Sequence, residues 1–203
     1  YTFYPVIDYL IKFFSNDKMK KSIKFIKIEM YQDSFIRNSI TNIPKWRRSD
    51  DFIPTICLDL GSHLVNLICT LKGKPTTVLS SFSSNDSKKN IIDHVDAIFK
   101  FKDNSSCNMS FSKSLLGHRN DLSINIYSHN KSYRWSHLNP ENLEVSQFDG
   151  KIVKFDRSNK MLKLSKHYSS RYKPGHPHGF IESIANFYYF IKHQSKLMYR
   201  KNI

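Results

Sequence analysis

The sequence predicts an α+β domain in which one large, mostly antiparallel open sheet carries helices packed on one face. Three observations predict it. Successive segments between residues 95 and 155 alternate apolar and polar side chains and are joined by short turns. The run over residues 58–73 places Leu60, Leu64, Leu67, Ile68 and Leu71 at helical spacing, which makes a stripe for a core. A further amphipathic helix pattern lies near each end of the chain.

Taken in order, residues 4–14 read as a helix with Pro5 in its first turn, burying Val6, Leu10 and Phe13 or Phe14 and ending at Ser15-Asn16-Asp17. Ile26, Ile28 and Met30 alternate with Lys27, Glu29 and Tyr31, the period of a strand with one wet face. Residues 32–54 carry no sustained period. The helix over residues 59–71 closes at Gly73 and Pro75. Strands follow around Val95 to Phe101, Cys107 to Phe111, Leu122 to Tyr127, Tyr133 to Trp135, Leu143 to Phe148 and Ile152 to Phe155. Asp149-Gly150 is a hairpin signal, and the short connections predict a meander. Gly175-His176-Pro177-His178-Gly179 opens a last helix that buries Ile181, Ile184, Phe187, Tyr188 and Ile191. One domain over residues 1–203 is expected, with a linker helix region at 1–20 and a basic tail at 192–203.

Composition narrows the partners. A chain of 203 residues, 39% hydrophobic and 14% aromatic, is long enough for one domain with a real core. No apolar run reaches the ~18 residues that cross a bilayer. A net charge of +15 invites a nucleic-acid reading, but the basic residues are spread along the chain. Scattered charge of this kind belongs to solvated faces rather than to a phosphate-reading patch. Cys57, Cys69 and Cys107 form no close pair, so three free thiols in a reducing cytoplasm are expected and no structural metal. The six glycines assemble neither a G-x-G-x-x-G turn nor a phosphate-binding loop. The start at Tyr1, with neither Met nor the flank of a signal peptide, suggests a chain cut from something longer.

Chemistry concentrates on the polar side of the 59–71 helix. Asp59, His63, Asn66 and Thr70 recur at spacings of four, three and four, opposite the apolar stripe. A carboxylate one turn from an imidazole can hold one tautomer and keep it basic, as proton abstraction near neutral pH requires. The ordinary alternative is a surface pair contributing a few tenths of a kcal/mol. Gly61 lies between the two, where a missing side chain lets something approach the backbone. Trp46, Arg47 and His176 are further candidates for contacting substrate: Arg47 bidentately through its guanidinium, His176 from a Gly- and Pro-bounded helix start. For Arg47 the alternative is a solvated basic loop beside Lys45 and Arg48, and Trp46 reads as a packing residue. Trp135 and Tyr133 read as sheet packing.

Trp46-Arg47, Asp59-Leu60-Gly61-Ser62-His63, Ile124-Asn125-Ile126-Tyr127 with Trp135, and residues 175–187 from Gly175 to Phe187 stand in an order that resembles the glucose-fructose oxidoreductase and inositol dehydrogenase (Gfo/Idh/MocA) family. The likeness runs from about Tyr4 to about Ile191 and covers only the C-terminal substrate domain, without the Rossmann domain that begins full-length members. It implies the substrate-binding and acid–base half of an NAD(P)-dependent oxidoreductase acting on a sugar, cyclitol or related polyol; the dimer expected through the open sheet face rests instead on the residual apolar residues of a sheet this large. The resemblance also implies that His63 and Asp59 are catalytic: His63 takes the hydroxyl proton while Asp59 orients the ring and stabilises its charged form. Trp46, Arg47, Asn66 and His176 become substrate-binding candidates, and NAD or NADP is held mainly by an upstream or separate Rossmann domain. Residues 51–57 depart from the family pattern, replacing a glycine-rich step with bulkier residues that narrow the approach of a nicotinamide. The alternative reading is a non-catalytic remnant or binding and dimerisation module of the same fold.

Overall fold

The computed structural model describes residues 1–2, 4–37, 44–47, 49–85 and 91–156, together with positions 184, 187, 188, 191 and 192. Helix α1 (Pro5–Phe13) starts on Pro5 and carries Asp8 in its first turn and Lys12 in its last, each matching the sign of the helix dipole. The run at Ser15-Asn16-Asp17 that was expected only to end α1 also starts a second helix. The Asn16 side chain accepts from the Lys18 N–H (2.9 Å) and caps α2 (Asp17–Ser22). Strand β1 (Ile23–Tyr31) leads to a single helical turn, α3 (Ser34–Arg37), and a 3-10 turn over Lys45–Arg47. A wide π turn (Cys57–Gly61) then feeds α4 (Ser62–Lys72).

Seven more strands follow: β2 (Thr77–Ser83), β3 (His94–Lys100), β4 (Ser106–Ser112), β5 (Asp121–Ser128), β6 (Lys131–Ser136), β7 (Leu143–Gln147) and β8 (Ile152–Phe155). They form one eight-stranded open sheet in the order β2-β3-β4-β1-β5-β6-β7-β8, the α+β architecture that the alternation predicts. Asp149-Gly150 makes the β7–β8 turn, with Gly150 at φ +83°.

Three expectations need correction. The strands are not a simple meander, because β1 is inserted between β4 and β5, parallel to the first and antiparallel to the second. The loop from β4 to β5 crosses the end of β1 and is tied down there, with the Leu115 N–H donating to the Gln32 carbonyl (3.1 Å) and the Gly117 N–H to the Asp33 carboxylate (3.2 Å). Strand β2 was not anticipated, since it runs along an edge with every residue exposed and so shows no buried period. The last helix lies mostly outside the described residues, and where it is described Ile184, Phe187, Tyr188 and Ile191 are exposed rather than buried, because they join no core residue described here.

The core lies on one face of the sheet. Val6, Ile7 and Leu10 of α1, Leu60 of the wide turn and Leu64, Leu67, Ile68 and Leu71 of α4 pack with the inward residues of the strands, among them Ile26, Ile28, Met30, Met109, Phe111, Ile124 and Ile126. Trp135 is buried with them and its indole N–H donates to the Pro140 carbonyl (2.8 Å), while Tyr133 packs against Phe14, so both serve the sheet. All three cysteines are free. Among the described residues no helix is long and apolar enough to cross a membrane.

Candidate active site

The site forms where the wide turn meets the C-terminal ends of the parallel pair β1 and β4. Asp50 organises the approach. One carboxylate oxygen accepts from the Thr55 N–H (2.9 Å) and hydroxyl (3.0 Å), and the other from the Ile92 N–H (2.7 Å). Thr55 and Ile56 are thereby buried, whereas Phe52 in the bulky segment points into solvent. In the turn itself the Ser62 N–H reaches back five residues to the Cys57 carbonyl and the Ser62 hydroxyl takes the Leu58 carbonyl (2.8 Å). Such single wide turns recur at functional sites.

Gly61 is needed for a different reason from the one its position suggests. A Cβ there would lie 3.1 Å from Cζ of Phe111, so the group that approaches is a core ring from β4 and not a ligand.

Asp59 is flanked by two cations. Arg47 donates to Oδ1 (2.7 Å) and Lys113 to Oδ2. No hydrogen bond joins Asp59 to His63 among the described residues, although the sequence spacing suggested that the carboxylate would orient the ring. The reason is competitive. Removing the anion from a buried ammonium costs about 3–5 kcal/mol, whereas an exposed ion pair contributes about 0.2–1 kcal/mol. Lys113, with 2% of its side chain exposed, therefore holds the carboxylate. The wide turn assists by breaking the regular i to i+4 register between residues 59 and 63.

His63 keeps an exposed edge while the Tyr1 ring meets it at a right angle, with centroids 5.4 Å apart. Partial desolvation pushes its pKa below the ordinary histidine value, and the Asp59 charge opposes it. A neutral imidazole near pH 7 follows, suited to accept a proton. Asn66 is exposed one turn further along the same face. Trp46 does not pack in the core; it is 52% exposed and lies under the Arg47 guanidinium, 4.7 Å from the ring centroid. Arg47 directs its fork at Asp59, and its Nε is buried without a hydrogen-bond partner. His176 lies outside the described residues.

Lys113 was missed, yet a signal for it existed. Cys107, Met109 and Phe111 face inward, and the same parity carries residue 113 inward, so a lysine there needs a buried anion.

Comparison with known proteins agrees with this architecture. An oxidoreductase from Sinorhizobium meliloti superposes with a TM-score of 0.72 at 18% identity, over 95% of this chain and 52% of that one. Levoglucosan dehydrogenase in complex with NADH and levoglucosan gives 0.72 at 13%, over 91% and 53%. An inositol dehydrogenase homolog from Azotobacter vinelandii, complexed with NAD+, gives 0.72 at 13%, over 86% and 47%. At these identities the likeness is one of fold, and the chain spans about half the length of the structures it matches. No curated protein sequence matches it. The family model described as the GFO/IDH/MocA C-terminal domain matches residues 22–134, which include the wide turn, α4 and the strands from β1 to β5. With more than half of its residues inside that match, the chain belongs to the GFO/IDH/MocA family and carries its C-terminal domain.

Proposed function

We propose that this chain is the substrate-binding and acid–base half of an NAD(P)-dependent oxidoreductase acting on a sugar, cyclitol or related polyol. The observation that carries the reading is His63, an imidazole with an open edge at the start of α4 whose pKa burial lowers, next to a carboxylate held by two cations. Family membership supports the reaction class. His63 takes the hydroxyl proton, Asp59 sets the field around it, and Arg47, Trp46, Asn66 and His176 remain the proposed substrate contacts. The described residues fit the hydroxyl end of this chemistry and not the phosphate end, because the positive-φ glycines Gly73, Gly117 and Gly150 sit in separate turns. NAD or NADP, held mainly by a Rossmann domain upstream or on another chain, supplies the hydride acceptor.

The open sheet face is proposed as a homo-oligomer surface: Phe25 stacks on Tyr127 (5.8 Å between centroids), and Leu79 and Ile98 are exposed there as register partners. A single expected domain over 1–203, with a linker at 1–20 and a basic tail at 192–203, and a cytoplasmic setting for the free thiols, belong to the same proposal. A second reading, a non-catalytic module of the same fold, is favoured by one fact: both Asp59 oxygens are already engaged.

Mixing the chain with a Rossmann partner, or restoring an upstream one, and following NAD(P)H absorbance over a panel of polyols separates the two. Turnover that falls about 10²–10⁴-fold in His63→Ala is expected. Turnover unchanged in that variant removes His63 from the reaction.

A further inference from the structure

Lys113 is clamped before its side chain begins. Its N–H donates to the Asp93 carbonyl (2.9 Å) at the entry to β3, and its carbonyl accepts from the Phe35 N–H (3.0 Å) of α3. The ammonium, enclosed, lies 5.2 Å from the Phe35 ring centroid and donates to Oδ2 of Asp59. On the other side, Arg47 is held over Trp46 and donates to Oδ1. The carboxylate is gripped from the end of β4 and from the 45–47 turn, two elements separate from α4. To reach His63 it would have to abandon a buried ammonium whose backbone cannot follow it.

We propose that Lys113, acting with Arg47, is a positioning residue that holds Asp59 on the cationic side of the wide turn, so that His63 works as an imidazole without a hydrogen-bonded carboxylate. Among the side chains of the described residues, the charged group acting on His63 is then Asp59, with the Tyr1 ring covering one edge. The carboxylate acts on the imidazole through its field, and two neighbouring cations mute that field. Burial lowers the Lys113 pKa, which the hydrogen bond and charge of Asp59 oppose. This deepens the dehydrogenase reading only in its consequence for proton transfer. Its test reads ionisation in the chain alone, so failed turnover and a failed titration are separate results.

The test is an NMR titration of the His63 ring in the full chain, in wild type, Lys113→Met and Lys113→Arg. Loss of one cation should strengthen the field of Asp59, raising the His63 midpoint in Lys113→Met by about 0.5 pH unit or more, roughly a threefold gain in proton affinity. Lys113→Arg should stay near wild type. A folded Lys113→Met whose midpoint matches wild type overturns the proposal. Where Lys113→Met does not fold, the ring nitrogen shifts of wild-type His63 decide. Both neutral tautomers in exchange support the proposal, and a single fixed tautomer overturns it.

Discussion

Replacing Lys72 by Met tests what anchors the helix that presents His63. Lys72 closes α4, and its Nζ, on a side chain only 3% exposed, donates to the Lys20 carbonyl (2.8 Å), the Ile23 carbonyl (3.1 Å) and Oδ2 of Asp103 (2.7 Å). One ammonium thus ties α4 to the junction of α2 and β1 and to the β3–β4 turn. Met keeps the apolar stem and deletes the head. Three hydrogen bonds to a charged donor, at about 2 kcal/mol each, amount to about 6 kcal/mol. Relief of the ammonium's own burial returns about 3 kcal/mol, which leaves a loss of about 3 kcal/mol. At this chain length the melting temperature should fall by about 6–12 °C. Urea unfolding followed by the fluorescence of buried Trp135 measures it. A loss below about 1 kcal/mol with an unchanged denaturant slope would refute the reasoning, because water would then be replacing the head without penalty. The acid limb gives a second check. Desolvation alone would raise the Asp103 pKa, but hydrogen bonds from Lys72 and Ser105 outweigh it and hold the group at about 2. The folded value lies below the unfolded one, near 3.9, so this contribution is present above about pH 4 and is lost as pH falls toward 2. In Lys72→Met that loss should shrink.

Gly61→Ala has a helical backbone to accept it (φ −57°) but sets a Cβ 3.1 Å from Phe111, itself buried in the core. A net loss of about 1 kcal/mol in thermal unfolding is expected, turning to a gain in a Phe111→Leu background, and a stabilised Gly61→Ala in the native background contradicts this. Asp50→Ala strands the Thr55 and Ile92 N–H groups and should cost about 2 kcal/mol in urea unfolding; a change within about 0.5 kcal/mol would show that Asp50 does not organise the turn. Burial pushes the Cys107 thiol up to about 12 while Cys69 is exposed. A disulfide reagent near pH 8 should therefore modify Cys69 quickly and Cys107 only after unfolding, and fast labelling of Cys107 in the folded chain would contradict its placement.

The parts of this molecule that were legible are those whose physics is periodic. A half-buried strand alternates, so β3 through β8 could be read from residues such as Val95, Ala97 and Phe99, and the apolar stripe from Leu60 to Leu71 marked its helix and its buried face. Pairing leaves no such trace. The insertion of β1 depends on Leu115 and Gly117 reaching Gln32 and Asp33, contacts between segments about 80 residues apart. Edge strand β2 buries nothing and so carries no period. The site was half legible for the same reason. Asp59 and His63 stand four apart, but spacing translates into proximity only through a regular α-helix, and the turn between them is a wide one. Lys113 could have been found from strand parity alone, because a charge at the next inward position of an apolar strand must have a partner.

That partner raises a question of energy. A buried ion pair contributes little net stability, since desolvating both charges offsets their attraction, and well-packed apolar residues of similar size often do as well or better. Each member alone is nonetheless strongly dependent on the other. What Lys113 and Asp59 contribute is therefore geometry more than stability: a carboxylate held from β4 and braced by Arg47 keeps its position whatever the protonation state of His63. A pair that adds little net stability, yet fixes a charge beside an open imidazole, has the properties of a site component and not of a core contact. Lys72 and Asp103 show the contrast in the same molecule, for there the lysine also satisfies two backbone carbonyls and its removal falls on the fold itself.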